Sequence, residues 1–289
     1  MTTAATIADL TRYTVRTSLG DIAVTEAGDG LPFVLLHGGG PGASGVSNYH
    51  QNLQALAGRF RVILPDQPGF GGSYRPTEED LLARSITEIT VDALAQTMDE
   101  LGIDRFHLLG NSLGGAAAIA FAQQYPDRVT GLVLMAPGGG WLPTGPTPTE
   151  GQKLMWLYYN AGGPSEKKMA AFIRTMVFDH KQFGEDVVRA RYEASLDESH
   201  IEFYHRYNDA FARRNGMDPL WKDLNKITAP TLLLWGRDDR TITLDGAQMM
   251  LKNIPNVQMH VFGKCGHWVQ LERQREFEAQ VLGFLGSPS

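Results

Sequence analysis

The stretch Gly110-Asn111-Ser112-Leu113-Gly114 decides the fold class of this chain. It follows the apolar run FHLL and precedes the small-residue run GAAAIAFAQQ, a pattern that predicts a strand, a sharp turn and then a helix. Glycine at both ends of the turn tolerates unusual backbone angles and a close approach of the flanking elements. The N-terminus of the following helix favours developing negative charge. A G-x-S-x-G turn in this context presents its serine as a nucleophile, so Ser112 is the predicted catalytic residue.

Short apolar runs on both sides of this turn predict a mostly parallel sheet. They occupy residues 13–17, 21–26, 33–37, 61–65, 106–110, 129–136, 231–236 and 257–262. Helical patterns lie between the later runs, at residues 86–101, 113–124, 244–253 and 271–284. Strands that alternate with helices imply an α/β fold whose sheet carries helices on both faces, and the first two runs predict a hairpin.

The alternation of strand and helix stops after residue 138. A stretch rich in Gly and Pro, GGGWLPTGPTPTEG, reads as a linker, and four amphipathic helical patterns follow it at residues 152–160, 165–177, 185–195 and 198–215. The chain then returns to an apolar strand. We therefore predict a core made of residues 1–139 and 226–289, with residues 140–225 as an inserted helical lid. An independent helical domain is the alternative, but the return to the sheet favours an insertion.

Composition limits the possible partners and compartments. The chain has 289 residues, a net charge of −6 and a pI of about 5.8, which argues against nucleic acid and anionic membranes as partners. The first residues lack the pattern of a secretory signal, and no apolar run is long enough to span a bilayer. The single cysteine, Cys265, excludes an intrachain disulfide. These features predict a cytoplasmic protein.

A serine hydroxyl becomes a good nucleophile only when a base removes its proton. In this type of site the acid and then the histidine follow the serine along the chain. His267, in GKCGHW after the last predicted strand, is the predicted base. The acid should follow the strand TLLLWG, where Asp238 and Asp239 are adjacent and spacing alone does not separate them. The histidines do not have the spacing of a metal site, so we predict no metal.

An oxyanion hole requires two backbone N–H groups that point at the developing charge. One is expected from Leu113, the residue after the nucleophile. The other is expected from the loop HGGGPG, residues 37–42, whose glycines allow the backbone to approach a ligand closely.

Beyond these single features, the chain resembles the meta-cleavage product hydrolases. These carbon–carbon bond hydrolases of bacterial aromatic and steroid-ring catabolism have the α/β-hydrolase fold. The matching stretches are HGGGPGAS, SNYHQN, PDQPGFGGS, GNSLGG, LMAPGGG, WGRDDR and HVFGKCGHW, which extend from about residue 35 to residue 268. On these positions the resemblance implies Ser112 as nucleophile, Asp239 as acid and His267 as base, with N–H donors from Gly39 and Leu113.

The same resemblance implies a set of substrate-binding residues. Asn111, Arg191 and Trp268 are expected to hold the carboxylate and oxo end of the substrate, and Asn48 is expected to be a further polar residue of the pocket. Met176 stands where some relatives carry an aromatic pocket residue, a departure that affects specificity for the acyl side.

The resemblance also implies the reaction. A 2-hydroxy-6-oxohexa-2,4-dienoate is first converted from enol to ketone and then cleaved to 2-hydroxypenta-2,4-dienoate and a carboxylic acid, by a homo-oligomeric enzyme without a cofactor. The sequence leaves open whether Ser112 forms an acyl-enzyme or orients a water molecule. A carboxylesterase or lactonase with the same triad is the alternative activity. A serine at the turn disfavours haloalkane dehalogenases and epoxide hydrolases, which carry aspartate there, and the complete triad disfavours a catalytically inactive binding protein.

Overall fold

The computed structural model describes residues 10–140, 145, 147–160, 162–214, 216 and 218–286. In this part of the chain it has eight strands and twelve α-helices. The strands are β1 (Thr11–Arg16), β2 (Asp21–Ala27), β3 (Leu31–Leu36), β4 (Phe60–Pro65), β5 (Phe106–Asn111), β6 (Val129–Met135), β7 (Thr231–Gly236) and β8 (Val257–Phe262). The helices are α1 (Gly45–Tyr49), α2 (Leu53–Ala57), α3 (Glu78–Ala83), α4 (Ile86–Glu100), α5 (Ser112–Gln124), α6 (Glu150–Tyr159), α7 (Glu166–Met176), α8 (Glu185–Ala194), α9 (Glu198–Arg213), α10 (Ala247–Asn253), α11 (Val269–Glu272) and α12 (Gln274–Leu285).

All eight strands belong to one sheet with the order β1-β2-β4-β3-β5-β6-β7-β8. Strand β2 runs antiparallel to both β1 and β4, and every other pair is parallel. The predicted hairpin and the predicted mostly parallel sheet are therefore confirmed. Parallel strands present their carboxyl ends at the same edge of the sheet, so the loops after β3, β5, β7 and β8 meet there.

Apolar side chains cover both faces of the sheet. On one face, Leu94 of α4 and Phe121 of α5 belong to a buried cluster with residues of the central strands. On the other face, Leu53 of α2 and Phe277 of α12 pack in a second cluster. Burial on both faces explains why the central strands read as continuous apolar runs rather than alternating ones.

Several element boundaries differ from the sequence-based expectation. Helices α1, α2 and α3 were not predicted, because five or six residues are too few to display a helical period. The predicted helix at 271–284 is divided into α11 and α12 at Arg273, whose backbone angles of φ −123° and ψ 42° are not helical. The predicted helix at 244–253 begins with a tighter turn at Leu244–Gly246, and α10 follows it.

Helices α6 to α9 lie between β6 and β7 in the chain, and we call them the helical segment. Strands β6 and β7 pair directly, with Leu132 opposite Thr231, so the chain leaves the sheet after β6 and returns beside it. The predicted linker falls partly outside the described residues, as does residue 215 at the end of the last predicted helix of this region. Across the described ranges, every helix falls short of the length and apolarity that a membrane span requires.

Candidate active site

Ser112 lies at the junction of β5 and α5 with a positive φ of 54°. Such an angle is strained for a residue with a side chain, and strain of this kind is concentrated at functional sites. The turn is possible because glycines surround it. A Cβ on Gly110 would lie 2.2 Å from the Gly114 carbonyl oxygen, and one on Gly114 would lie 2.5 Å from the carbonyl oxygens of Leu36 and His37. The predicted close approach of strand and helix at this turn is therefore present.

The loop after β3 reaches the same turn. A Cβ on Gly39 would lie 2.6 Å from Cδ2 of Leu113, so these two residues are in contact. Among the described residues, no acceptor is paired with the backbone N–H of either Gly39 or Leu113. An oxyanion hole consists of two free backbone N–H donors near the nucleophile, and the N–H groups of these two residues are therefore its candidates.

His37, which the sequence analysis did not single out, fixes this glycine loop through hydrogen bonds of its side chain and its carbonyl. Its Nε2 accepts a hydrogen bond from the Gln67 backbone N–H at 3.0 Å, so its Nδ1 carries the proton and donates to the Gly38 carbonyl at 2.9 Å. The His37 carbonyl accepts from the Gly114 N–H at 3.1 Å. Complete burial lowers the pKa of the His37 imidazole, which favours this neutral tautomer. The sequence signal that could have identified His37 is its position directly before the glycines of this loop.

His267 and Asp239 form a buried pair at the carboxyl ends of β7 and β8. Nδ1 of His267 lies 2.7 Å from Oδ2 of Asp239, and both side chains are almost completely buried. The other carboxylate oxygen, Oδ1, accepts hydrogen bonds from the backbone N–H groups of Thr241 at 2.7 Å and Ile242 at 3.0 Å. A carboxylate held in this way fixes the imidazole with Nδ1 protonated and leaves Nε2 as the basic atom.

The neighbouring Asp238 has a different environment. Its carboxylate contacts the Arg237 guanidinium at 3.3 Å, and 29% of its side chain is exposed. Its backbone N–H donates to the Cys265 carbonyl at 2.9 Å. The geometry thus separates two acids that spacing alone left open, since only Asp239 is bonded to His267.

A backbone contact from the helical segment supports the His267 loop. The Met176 carbonyl, at the end of α7, accepts hydrogen bonds from the N–H groups of His267 at 2.7 Å and Trp268 at 3.1 Å. The Met176 sulfur lies 3.6 Å from Oγ1 of Thr241. Ser112 Oγ and His267 form no hydrogen bond in the described structure, and bonds of this kind are often long before substrate binds.

Arg191 of α8 brings a cation to this region. Its Nε donates to the Pro41 carbonyl at 2.7 Å and its Nη1 to Ser47 Oγ at 3.2 Å, and its Cζ lies 5.4 Å from the centre of the Trp268 ring. No carboxylate among the described residues lies within ion-pair distance of this guanidinium. Burial lowers the pKa of Arg191 to about 10, so the group remains protonated at neutral pH. By contrast, Arg189 is mostly exposed and lies 4.0 Å from Glu166.

Side chains hold α8 in place, although the helix has no fully buried residue of its own. Directly after α8, Ser195 is completely buried. Its Oγ hydrogen-bonds with the Tyr158 hydroxyl at 2.6 Å, and its carbonyl accepts from the Tyr159 hydroxyl at 3.1 Å. These two tyrosines of α6 therefore fix the helix end that carries Arg191.

The two predicted asparagines are buried and each has one unpaired polar atom in the described structure. Asn111 Nδ2 donates to the Met135 carbonyl at 3.1 Å, while its Oδ1 has no partner and would lie 2.8 Å from a Cβ on Gly38. Asn48 is 4% exposed and its Nδ2 has no partner. Buried polar groups normally have hydrogen-bond partners, so these two atoms are candidate contacts for a ligand.

Within the described ranges, no group of three or more His, Cys, Asp or Glu side chains could hold a metal ion. His107, in β5, contacts the Thr130 hydroxyl at 2.9 Å through Nδ1 and packs against Phe33 and Phe60. It lies toward the opposite end of β5 from Ser112.

Comparison with known proteins identifies the family to which the chain belongs. Residues 32–274 match the family described as alpha/beta hydrolase fold. A 2-hydroxy-6-oxononadienedioate/2-hydroxy-6-oxononatrienedioate hydrolase of Burkholderia vietnamiensis is 40% identical over 255 residues, covering 87% of this chain and 86% of the relative. A 2-hydroxy-6-oxo-6-phenylhexa-2,4-dienoate hydrolase of Burkholderia cepacia is 37% identical, covering 92% and 91% of the two chains.

A solved structure gives the same result in three dimensions. The meta-cleavage product hydrolase of Pseudomonas fluorescens IP01 superposes with a TM-score of 0.83 at 31% identity, covering 95% of this chain and 97% of the other. The predicted fold class is confirmed, and the chain is an enzyme of the hydrolase class. The chain belongs to the α/β-hydrolase fold family and, within it, to the meta-cleavage product hydrolases.

Proposed function

We propose that this enzyme hydrolyses a carbon–carbon bond in a 2-hydroxy-6-oxohexa-2,4-dienoate. The products are 2-hydroxypenta-2,4-dienoate and a carboxylic acid. The names of the two relatives share the 2-hydroxy-6-oxo dienoate unit and differ at the distal end, where one substrate is a dioate and the other carries a phenyl group. The shared unit is the part of the substrate that we assign to this enzyme.

One observation carries the proposal beyond a general hydrolase. Arg191 is a cation that no carboxylate of the described residues neutralises, and it lies against Trp268, the residue after His267. Burying an unpaired charge is costly, so an anionic ligand that completes the pair would bind there strongly. The carboxylate of a dienoate supplies that anion, whereas a simple neutral ester does not.

The remaining groups fit the two chemical stages. Carbon is a poor leaving group until it can depart as a stabilised anion, so the 2-hydroxydienoate is first converted to its keto form by moving a proton from the 2-hydroxyl to carbon 5. His267, oriented by Asp239, is the proposed carrier of that proton. Water then adds overall across the bond between carbons 5 and 6. Ser112 and His267 activate the attack, and the five-carbon fragment leaves with the bonding electrons as a dienolate that takes up a proton.

The backbone N–H groups of Gly39 and Leu113 are the proposed oxyanion hole for the tetrahedral species at carbon 6. Asn111 and Asn48, each with an unpaired buried atom, are the proposed polar contacts of the substrate, and Met176 is a proposed contact on the acyl side. We further propose that residues 140–225 act as the lid, since Arg191 and the Met176 carbonyl both reach the site from the helical segment. Assembly into a homo-oligomer is proposed from the family resemblance, and a cytoplasmic location is proposed from the composition and the single cysteine.

The test is product analysis with two dienoates and one neutral ester. The purified enzyme is incubated with the 6-phenyl dienoate, with the nonadienedioate and with p-nitrophenyl acetate, and the five-carbon dienoate and the released acid are quantified by chromatography. We expect a kcat/KM on at least one dienoate that exceeds that on the ester by about 100-fold or more, because only the dienoates carry the anion that pairs with Arg191.

Ser112→Ala is the matched variant for this experiment. Removing the nucleophile of a cooperating triad should lower kcat on the dienoate by at least about 10⁴-fold. Turnover of the ester without any cleavage of either dienoate would instead identify a carboxylesterase. Near-normal dienoate turnover by Ser112→Ala would contradict the proposed role of the serine.

A further inference from the structure

A buried carboxylate that the proposed chemistry does not use lies beside the His267 loop. Glu272 is the last residue of α11 and is 8% exposed. Among the described residues, no Lys, Arg or His side chain forms an ion pair with it. A carboxylate buried without a cation must be stabilised by hydrogen-bond donors. Three backbone N–H groups supply them here, and the Cys265 side chain also interacts with this carboxylate.

Three N–H groups from two separate segments meet at this carboxylate. Oε1 accepts from the N–H groups of Phe178 at 2.7 Å and Asp179 at 3.0 Å, which lie in the connection that follows α7 in the helical segment. Oε2 accepts from Gly266 at 2.6 Å, the residue immediately before His267. Glu272 therefore joins the helical segment to the histidine loop through its two oxygens.

A second connection runs in parallel with the first. The Met176 carbonyl accepts from the N–H groups of His267 and Trp268. Residues 176–179 and 266–268 are therefore joined both by these direct backbone bonds and by the bonds through Glu272. The two backbones are also very close. A Cβ on Gly266 would lie 2.7 Å from the Met176 carbonyl oxygen and 2.8 Å from the Val177 Cα. Little room remains for the histidine loop to move unless the Glu272 bonds break.

From this arrangement we propose that Glu272 is a positioning residue that clamps the His267 loop against the end of α7. It touches neither substrate nor reacting atoms. It fixes the backbone of Gly266, the residue before His267. The orientation of that backbone in turn sets the direction in which the His267 side chain points toward Asp239. The inference rests on the proposed role of His267 as the base for Ser112, and it adds that the helical segment contributes to the geometry of that base.

Replacement of Glu272 by Gln tests the clamp with a small change in shape. An amide has one accepting oxygen and one NH₂ group, whereas all three backbone partners of Glu272 are donors. Whichever way the amide turns, its NH₂ group faces either the Gly266 N–H or the N–H groups of Phe178 and Asp179. One half of the clamp must open, and a shift of the base by about 1 Å can cost on the order of 100-fold in rate.

The control is Glu278→Gln. Glu278 lies on α12, and its Oε1 accepts from the Asn52 and Gln274 side chains at 3.1 and 3.0 Å. The substitution therefore disturbs a carboxylate with two hydrogen bonds that does not contact the His267 loop. Melting temperatures of both variants are measured beside the wild type to separate loss of stability from loss of geometry.

Two readouts are compared in the wild type and both variants. The first is the rate at which a serine-directed phosphonate modifies Ser112, which depends on the base but not on the dienoate. The second is the separate determination of kcat and KM on the dienoate. For Glu272→Gln we expect both the modification rate and kcat to fall by about 10- to 100-fold. KM should stay within about threefold because Arg191 is untouched, and Glu278→Gln should match the wild type.

The outcomes separate this inference from the proposed function. If the phosphonate fails to modify Ser112 even in the wild type, the triad itself is wrong. If the wild type is modified and Glu272→Gln reacts equally fast, the clamp has no role in positioning and the inference is overturned. Should Glu272→Gln not fold, Glu272→Asp takes its place. Aspartate keeps the charge but is one methylene too short to reach both segments, so wild-type kinetics in that variant would equally overturn the inference.

Discussion

The two sides of the candidate site are built by different means. Around Ser112, backbone atoms set the geometry through a positive φ and glycines whose Cβ atoms would collide with neighbouring carbonyls. Around Arg191, side chains set it. The helix α8 has no fully buried residue, and the guanidinium reaches the core through its bonds to the Pro41 carbonyl and Ser47 Oγ. A backbone-built feature tolerates few residue types at each position, whereas a side-chain contact can be made by many sequences.

This difference explains what the sequence can and cannot reveal. The turn at Ser112 spans five adjacent residues, so one short pattern contains the whole device. Arg191 contacts Pro41, which is 150 positions away in the chain, and nothing in its local sequence distinguishes it from Arg189. The family resemblance, rather than a local rule, singled it out.

The largest effect is expected on the Ser112 side of the site, at Asp239, the proposed acid of the triad. Asp239→Asn should lower kcat by roughly 10³- to 10⁴-fold, because an amide at this position favours the wrong tautomer of His267. Asp238→Asn is the adjacent control and should change kcat by less than about threefold, since its carboxylate bonds to Arg237 instead. Steady-state kinetics of both variants on the dienoate decide the question. The opposite ranking would transfer the acid role to Asp238.

Sequence reasoning predicted the positions of the strands along the chain, the hairpin, a mostly parallel sheet, the Ser112 turn and the regions from which the proposed acid and base come. Spacing alone left Asp238 and Asp239 unresolved because both follow β7. The family resemblance pointed to Asp239, and its carboxylate is the one that lies 2.7 Å from His267 Nδ1. Sequence reasoning missed Glu272. An acid five positions after the histidine resembles an ordinary charge on a short helix, and two of its three backbone partners, Phe178 and Asp179, lie 94 and 93 positions away in the chain. Hydrogen bonds between a side chain and a remote backbone leave no periodic signal.

The second prediction tests the side-chain-built half of the site. Arg191→Gln should cost about 2–5 kcal/mol of transition-state stabilisation on a dienoate, or about 30- to 4000-fold in kcat/KM, because a buried anion loses its charged partner. Activity on p-nitrophenyl acetate should change far less, since that ester carries no carboxylate. Arg189→Gln, on the exposed part of the same helix, is the control and should behave as the wild type on both substrates.

An equal loss on both substrates in Arg191→Gln would mean that the helical segment is displaced and that the arginine acts through structure alone. Unchanged activity on both would assign the anion to another cation. Either result would mean that Arg191 does not bind the carboxylate of the substrate. The side of the site around Arg191 would then have no direct role in recognising the dienoate.

The smallest expected effect concerns the contact between α9 and the core. His200 is buried, its Nδ1 donates to the Gly69 carbonyl at 3.0 Å, and its Nε2 has no partner in the described structure. Burial lowers the pKa of His200 from 6.5 to about 4; the Gly69 bond and Asp197 oppose this shift, and Arg75 and Arg191 add to it. Between these two pH values the unfolded chain binds a proton at His200 that the folded chain does not, so stability must fall as the pH falls.

The third prediction follows from that linkage. Between pH 6.5 and 4, the free energy of unfolding of the wild type should fall by about 1–3 kcal/mol more than that of His200→Gln, which cannot titrate at this position. Urea denaturation at several pH values measures the difference, and only its change with pH counts, because the substitution also alters the Gly69 bond. His205→Gln, on the exposed face of the same helix, should retain the wild-type dependence. The free energies of unfolding of the wild type and His200→Gln could instead change with pH in parallel across this range. In that case the folded protein accommodates the protonated imidazole of His200 between α9 and the core. The helical segment would then be more loosely joined to the core at this point than the burial of His200 implies.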